Sequence, residues 1–425
     1  MPAELPPEDR KMLTVLLGGK LIDGTGAEPI ADSVVVVEGT RIRAAGPRSH
    51  TPVPKGAEII NASGKTIIPG LIDLHAHYNS YPIEGLPYAL AAQLAFGVTT
   101  SRSVGGDTEE ILEVLRSVAP GRLSGPRLFS AGPGFAHPDG HPIALETTLR
   151  PATPEEAREG VRRLAALKVD VLKMWVDDKY GALPKITPEI RAVIVAEGAK
   201  HGIPSVAHIF DEADVRELAE LGMTDFLHTV RDHEPMSEDF IAFCKERGVG
   251  FVPTLSVIES NWLFAESPET LLDDAEARAA VVPASIPLVE DAGWREQRLA
   301  DPLIARLNLE LARAQRFVKQ MHEAGVAIAV GSDTGTAMIP LGWGTHNEMR
   351  LLVEAGLSPL EVIRLATAAG AARLGRAGDD IGTLEAGKIA DLVLLSADPA
   401  EDIANTRKIE RVMQLGKWVD RESSN

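Results

Sequence analysis

The chain has 425 residues, 44% of them apolar and 24% charged, which is enough apolar material for one large core with an appendage. Its formal charge of -18, from 43 Lys and Arg against 61 Asp and Glu, argues against nucleic acid or an anionic membrane as partner, since both demand clustered cations. No stretch approaches a membrane span, the opening MPAELPPEDRKML lacks a signal-peptide pattern, and the single Cys244 fits packing in a reducing compartment; the expectation is a soluble cytoplasmic protein acting on a small molecule.

Residues 1–12, rich in Pro, Glu and Lys, are expected to be mobile. From Leu13 to Ile68, short apolar runs at 14–17, 33–37, 42–45 and 58–60 are divided by Gly, Asp and Pro, a pattern of small antiparallel strands and tight turns. The end of the chain repeats it, with strand-like runs at 391–395 and 411–415 and turns at Gly382, Gly387 and Gly416. The two ends, 13–68 and 376–425, are therefore expected to meet as one small β-sandwich.

Between them, residues 69–375 alternate short apolar strands with longer helices. Eight strands are read, at 71–77, 99–103, 127–131, 169–175, 205–209, 225–228, 250–253 and 327–331. Eight strand and helix units predict an α/β fold of the (β/α)8 TIM-barrel type, whose chemistry sits at the carboxyl ends of its strands. A stretch at 255–312, carrying Trp262, Phe264 and Trp294, is mostly helical in pattern and too long for a plain connection. It reads either as a lid or as a structural elaboration.

The strand ends carry the chemistry. In the first strand, Asp73, His75 and His77 alternate onto one face, so two imidazoles converge on one point, as a metal site requires. The fourth strand contributes Lys173, the fifth His208, the sixth His228 and the eighth Asp333. Four imidazoles, an amine and a carboxylate at one mouth are a costly set to gather without an ion to bind. An ammonium beside two divalent cations is strongly disfavoured, and a neutral lysine can add carbon dioxide to become a carbamate, whose two oxygens suffice to bridge two metals. His75, His77 and Asp333 would hold one ion, His208 and His228 the other. The alternatives are a Lys173 that snorkels to water and an Asp333 that caps a helix.

These residues, with Pro-Gly-Leu-Ile-Asp-Leu-His-Ala-His at 69–77, Gly-Val-Thr-Thr at 97–100, Gly-Ser-Asp-Thr at 331–334 and Gly-Thr-Leu-Glu-Ala-Gly-Lys-Ile-Ala-Asp-Leu-Val at 382–393, resemble the amidohydrolase superfamily in its binuclear subtype with a carboxylated lysine. The run Thr-His-Asn-Glu-Met-Arg-Leu-Leu-Val-Glu-Ala-Gly at 345–356 and Ala-Thr-Ala-Ala-Gly-Ala at 366–371 are similar to the branch with prolidase-like dipeptidases, ochratoxin-type amidases and imidazolonepropionase. Imidazolonepropionases lack the bridging lysine, so Lys173 points to the dipeptidase side.

The resemblance implies a hydrolase that cleaves the amide bond of a dipeptide or N-acyl amino acid by attack of a metal-bridging hydroxide, with zinc the expected ion and Asp333 moving the proton. Cleavage of a carbamate, cyclic amide, lactone or phosphoester by the same site is the alternative; a non-catalytic scaffold is a second. His137 and His141 lie in a loop where related dipeptidases carry a substrate-binding histidine, and both also fit a plain surface loop. Arg231 stands where the dipeptidase pattern often has tyrosine; it is read either as a carboxylate binder or as the ion-pair partner of Asp232. His346, Trp175 and Tyr180 are further candidates for the pocket. Composition leaves assembly open, with a homo-oligomer the base-rate expectation.

Overall fold

A computed structural model describes residues 13–118, 122–336 and 338–420. The segment 1–12, expected to be mobile, lies outside the described residues. The chain forms two compact units. One comprises the described residues of Met1–Ile72, Ala95–Thr99 and Ser358–Ser423, the other Asp73–Leu94 and Thr100–Leu357.

The first unit contains two sheets. In one, Arg41–Pro47, Ser33–Glu38 and Leu13–Leu17 run antiparallel, as their turn spacing predicts, while Glu58–Asn61 adds to Leu13–Leu17 in parallel, which corrects the all-antiparallel expectation for this segment. In the other, the order is Lys417–Trp418, Ile409–Gln414, Leu392–Leu395, Thr66–Pro69 and Lys20–Leu21, so strands from both chain ends pair in one sheet. The run Ser-Val-Val-Val-Val-Glu shows why these residues make strands. Val35 and Val37 enter a core cluster with Leu392, Leu394 and Ile67, and the alternating Val34 and Val36 enter another with Val15. β-branched side chains at a period of two fill both faces of the pleat.

The second unit is built on parallel strands. We label them β1 (Leu71–Ala76), β2 (Val98–Ser103), β3 (Arg127–Ser130), β4 (Leu172–Val176), β5 (Ser205–Ile209), β6 (Asp225–Leu227), β7 (Gly250–Val252) and β8 (Ala327–Ile328). β1, β2 and β3 form one sheet in that order, and β4 to β8 form another, every pair in it parallel. β4 to β7 are buried along their whole length, the pattern of strands covered on both faces. Beside β4, Phe135 N donates to Lys173 O at 2.7 Å and Trp175 N to Phe135 O at 2.9 Å. Beside β1, Leu74 N donates to Val330 O at 3.1 Å and Asp333 N to His75 O at 2.8 Å.

Two strands miss an expected bound by three residues, the others by at most one. β4 begins at Leu172 because Asp170 turns to β3, its Oδ2 accepting from Ser130 N at 2.9 Å. β8 stops at Ile328 because the amides beyond it divide between neighbours, Ala329 N donating to Phe251 O and Asp333 N to His75 O. The stretch 255–312 is helical as read, opening with α1 (Leu255–Glu266) and closing in α2 (Pro302–Glu323), which Asp301 caps at Leu303 N. Cys244 is buried on a helix, where burial pushes its thiol up to about 12. Among the described residues no helix is long and apolar enough to cross a membrane.

Inside the second unit Arg102, on β2, places Nη1 2.6 Å from Asp225 Oδ2 on β6 and donates Nε to Leu74 O at 3.0 Å. Both side chains are buried. Breaking a buried pair by removing one partner costs about 3–5 kcal/mol, because the survivor keeps a desolvated charge. Arg102→Met should therefore lower the free energy of unfolding by about that amount in urea titrations, and a loss under about 1 kcal/mol would show that the pair is not desolvated as described.

Candidate metal centre

β1 delivers His75 and His77 to one point by alternation, their Nε2 atoms 3.2 Å apart. Asp333 meets them there, with Oδ1 3.3 Å from His75 Nε2 and 3.2 Å from His77 Nε2. The adjacent Asp73 points the same way but does not join them. It is fully buried and accepts from Ser332 Oγ at 2.6 Å, Ser332 N at 3.1 Å and Thr345 Oγ1 at 2.7 Å, fixing the segment that carries Asp333.

The tautomers follow from the outer partners. His77 Nδ1 lies 3.0 Å from Gly105 O, which only accepts, so Nδ1 carries the proton and Nε2 a lone pair. His208 Nε2 lies 3.1 Å from Asp177 Oδ2, which leaves a lone pair on its Nδ1. His228 Nδ1 lies 2.6 Å from Thr254 Oγ1, whose own proton goes to Pro253 O at 2.7 Å, so His228 must donate there and its Nε2 also bears a lone pair. His208 Nδ1 and His228 Nε2 face each other at 2.8 Å. Two lone pairs at that separation repel unless a cation neutralises them, and two outward hydrogen bonds of this kind are what orient imidazoles as ligands.

Burial, reinforced by surrounding positive groups, holds His208 and His228 well below the ordinary histidine range; burial does the same for His75 against the opposing pull of Asp333. All three are neutral, as ligation requires. Burial would push the Asp333 carboxyl up, but His75, His77 and Lys173 outweigh it and hold the group low, so Asp333 is ionised. Lys173 is fully buried and, among the described residues, its Nζ has no hydrogen-bond partner. Burial, with help from Arg102, lowers its amine to about 7. The donor set thus fits divalent cations on the structure's own terms: neutral imidazoles with inward lone pairs, an ionised carboxylate and an unpaired buried amine.

Three residues around the cluster, His228, Thr254 and Asp333, have φ of 75°, 54° and 58°. Each left-handed non-glycine residue costs of order 1–3 kcal/mol, a strain typical of sites whose side chains must be aimed.

The six strand-end residues line a cavity of about 660 Å³ together with His141, Trp175 and Arg231. Trp175 is wedged between two glycines: a Cβ on Gly105 would lie 2.4 Å from its ring and one on Gly134 2.6 Å. Burial lowers the His141 imidazole to about 4, with Lys179 adding to the effect. Tyr180 corrects the expectation of an aromatic wall. It is 58% exposed and off the lining; its hydroxyl bonds Glu310 and Arg306 stacks 3.6 Å from its ring centroid. His137 is also off the lining, its Nδ1 accepting from Asp139 N at 3.1 Å, and His346 is buried in α3 (Trp343–Glu354), away from the cavity. Arg231 does not pair with Asp232, which meets His233; its partner is Glu310, at 3.6 Å.

Sequence reasoning missed Asp177, Thr254 and Glu348. Asp177 lies four residues after Lys173, on the same face of the extended chain, and that spacing was a usable signal. Glu348, raised to about 8 by burial, accepts from Leu255 N at 2.9 Å and Ser256 N at 2.7 Å and so fixes the start of α1, next to Thr254. Nothing local in the sequence announces that contact. A second group able to hold a cation, His141, Asp177 and His208, already has an ammonium in it, with Lys179 Nζ 2.7 Å from Asp177. Because Asp177 orients His208, Asp177→Asn should weaken divalent-ion affinity about 10–100-fold in competition against a chelator, and unchanged affinity would show that the contact does not set the ligand.

Comparisons with known proteins give the family. The model of the amidohydrolase family matches residues 66–419. Ochratoxinase of Aspergillus niger is 27% identical over 98% of this chain and 88% of its own length. Imidazolonepropionase of Symbiobacterium thermophilum is 25% identical over 90% and 91%. The crystal structure of a candidate prolidase from Bifidobacterium longum superposes with a TM-score of 0.76 and 26% identity, covering 96% of this chain and 94% of that one. The chain belongs to the amidohydrolase family, and it is an amidohydrolase that acts on carbon–nitrogen bonds.

Proposed function

We propose that this protein is a binuclear metal-dependent hydrolase cleaving the amide bond of a dipeptide or N-acyl amino acid. Its catalytic unit is a (β/α)8 barrel over 69–375, and the chain ends 13–68 and 376–425 form a β-sandwich beside it in sequence. The observation that carries the proposal is the buried, unpartnered amine of Lys173 among three neutral imidazoles, His77 and the ionised Asp333. A permanently charged ammonium would be out of place there, while a neutral amine can attack carbon dioxide, forming an N–C bond and releasing one proton to leave a carbamate anion. His75, His77 and Asp333 would then hold one ion, His208 and His228 the other, with the carbamate on Lys173 shared; zinc is the expected metal. Such ions, when bound, acidify water and polarise a carbonyl.

The chain's own groups do the rest. Asp333, ionised and held by the Asp73–Ser332 contacts, takes a proton from the attacking water and passes it to the departing nitrogen, which amines require because they leave poorly. Neutral His141, on the cavity lining, is placed to donate to the carbonyl oxygen. The names of the relatives, ochratoxinase and a candidate prolidase, support an amide substrate over a lactone or phosphoester. The protein is proposed to work in the cytoplasm on a small molecule, as a homo-oligomer, without nucleic acid or membrane.

Two variants separate the roles. Lys173→Ala should lose both bound metal and turnover, with partial recovery on adding a short carboxylic acid; undiminished turnover would refute the bridge. Asp333→Asn should keep much of its metal while turnover falls about 10²–10⁴-fold, the range expected when positioned proton transfer is removed. For the substrate, rates on an N-acyl amino acid, a dipeptide, a lactone and a carbamate should favour the first two, and a clear preference for either of the others would overturn the assignment.

A further inference from the structure

After β3 the chain leaves at Ala136 and returns at Leu149 in a closed loop. Its base is a short ladder, Ala136 N donating to Leu149 O and Leu149 N to Gly134 O, both at 2.9 Å. One side of the loop reaches the metal cavity, where His141, Pro142 and Leu145 lie on the lining and the His141 ring centroid stands 5.4 Å from that of His208. The run His-Pro-Asp-Gly-His-Pro at 137–142 cannot satisfy its own main chain, because two of its residues are prolines without an N–H. Gly140 N turns back to His137 O at 3.0 Å, and the carbonyls left over face inward onto Arg150. Its Nη1 donates to His137 O at 2.7 Å, Gly140 O at 3.2 Å and Pro138 O at 3.4 Å, and its Nη2 to Pro142 O. All four acceptors are main-chain oxygens. Carbonyl dipoles aimed at one point repel, and a planar cation with five N–H groups is the side chain that reconciles them. From outside, Gly140 is pressed so closely on the next loop that a Cβ there would lie 2.6 Å from Pro184 O. Arg150 itself is not on the lining of the metal cavity.

We propose that Arg150 is a positioning residue for the reaction: its guanidinium is the centre around which the 137–142 segment is wrapped, and this wrapping sets His141 on the cavity wall. Without it the four carbonyls turn to water and His141 leaves the wall. Arg150 touches neither substrate nor metal and acts through His141. The proposal rests on the reading that neutral His141 donates to the carbonyl of an amide substrate. It also gives His137 a part, since its main-chain oxygen accepts from both Arg150 and Gly140. Lysine is a poor replacement, because three donors on one nitrogen do not spread over four acceptors.

The test follows hydrogen exchange of the 137–148 segment by mass spectrometry in metal-loaded protein and in its Arg150→Ala and Arg150→Lys variants, with and without guanidinium chloride far below denaturing concentrations. Arg150→Ala should speed exchange there about tenfold or more, as the loss of hydrogen bonds to a charged group requires. Added guanidinium should reverse most of that change, and Arg150→Lys should fall between. Turnover of N-acetylphenylalanine supplies the second readout. Arg150→Ala should lower kcat about 10²-fold, the scale of a displaced catalytic group, and guanidinium should restore part of it. In a His141→Gln background the same substitution should cost less than about twofold, because two residues that act as one do not add. A role in the fold alone would slow both backgrounds alike. Unchanged exchange in Arg150→Ala, indifference to guanidinium, or an equal loss of kcat with and without His141 overturns the proposal. If the alanine variant fails to fold, the lysine variant decides by the same readouts. A protein that cleaves no amide refutes the proposed function separately; the exchange data and the place of His141 in a crystal structure of Arg150→Ala then judge Arg150, and an undisplaced His141 overturns its role.

Discussion

The constraint on which this structure turns is the repulsion between groups that point at one another with no proton between them. His208 Nδ1 and His228 Nε2 stand 2.8 Å apart, each stripped of its proton by an outward hydrogen bond, and nearby Asp333 Oδ1 lies 3.3 Å from His75 Nε2 and 3.2 Å from His77 Nε2. A fold gains little stability from gathering neutral imidazoles, an ionised carboxylate and an amine without a hydrogen-bond partner in a buried space, because each burial costs free energy. Positive charge placed among them turns every one of these costs into an attraction. Burial, which lowers the histidine pKa values, serves the same end, since groups that stay unprotonated keep their lone pairs for a cation.

Around this cluster the chain uses anions as struts. Asp73 ties β1 to the Asp333 segment, Asp177 orients His208, and Glu348 fixes the start of α1 beside Thr254, the acceptor for His228. None of the three touches the inward lone pairs. Asp73 and Glu348 instead bond Ser332 and Leu255, the neighbours of the left-handed Asp333 and Thr254, whose strain the surrounding contacts must outweigh. α1 thereby belongs both to the site's support and to its apolar lining, so the stretch 255–312 is more than an ornament on a connection.

How much of this the sequence disclosed depends on whether a feature is periodic or relational. Alternation along strands is local, so the eight strands, the convergence of His75 and His77 and the placing of Lys173, His208 and His228 in or just after their strands were legible, with the larger boundary errors where side chains such as Asp170 or split amides such as Ala329 end a ladder early. The parallel strand Glu58–Asn61 was misread because direction depends on where the chain returns, which a short apolar run does not encode. Tyr180 was a pocket candidate because it follows the fourth strand, but it turns outward onto Glu310, from the stretch read as a lid or a structural elaboration. Likewise Arg231 found its partner on α2, some eighty positions along the chain rather than at the next residue, and Glu348 found helix amides almost a hundred positions away. Such long-range polar pairings leave no local trace.

The most direct test of the account is a crystal structure of metal-loaded protein with anomalous data collected at the metal edge. The account expects two anomalous peaks at the inward faces of the histidine pairs and continuous density for a carboxylate beyond Lys173 Nζ, between them. An unmodified amine at that position, with no ion near it, would contradict the account at its root.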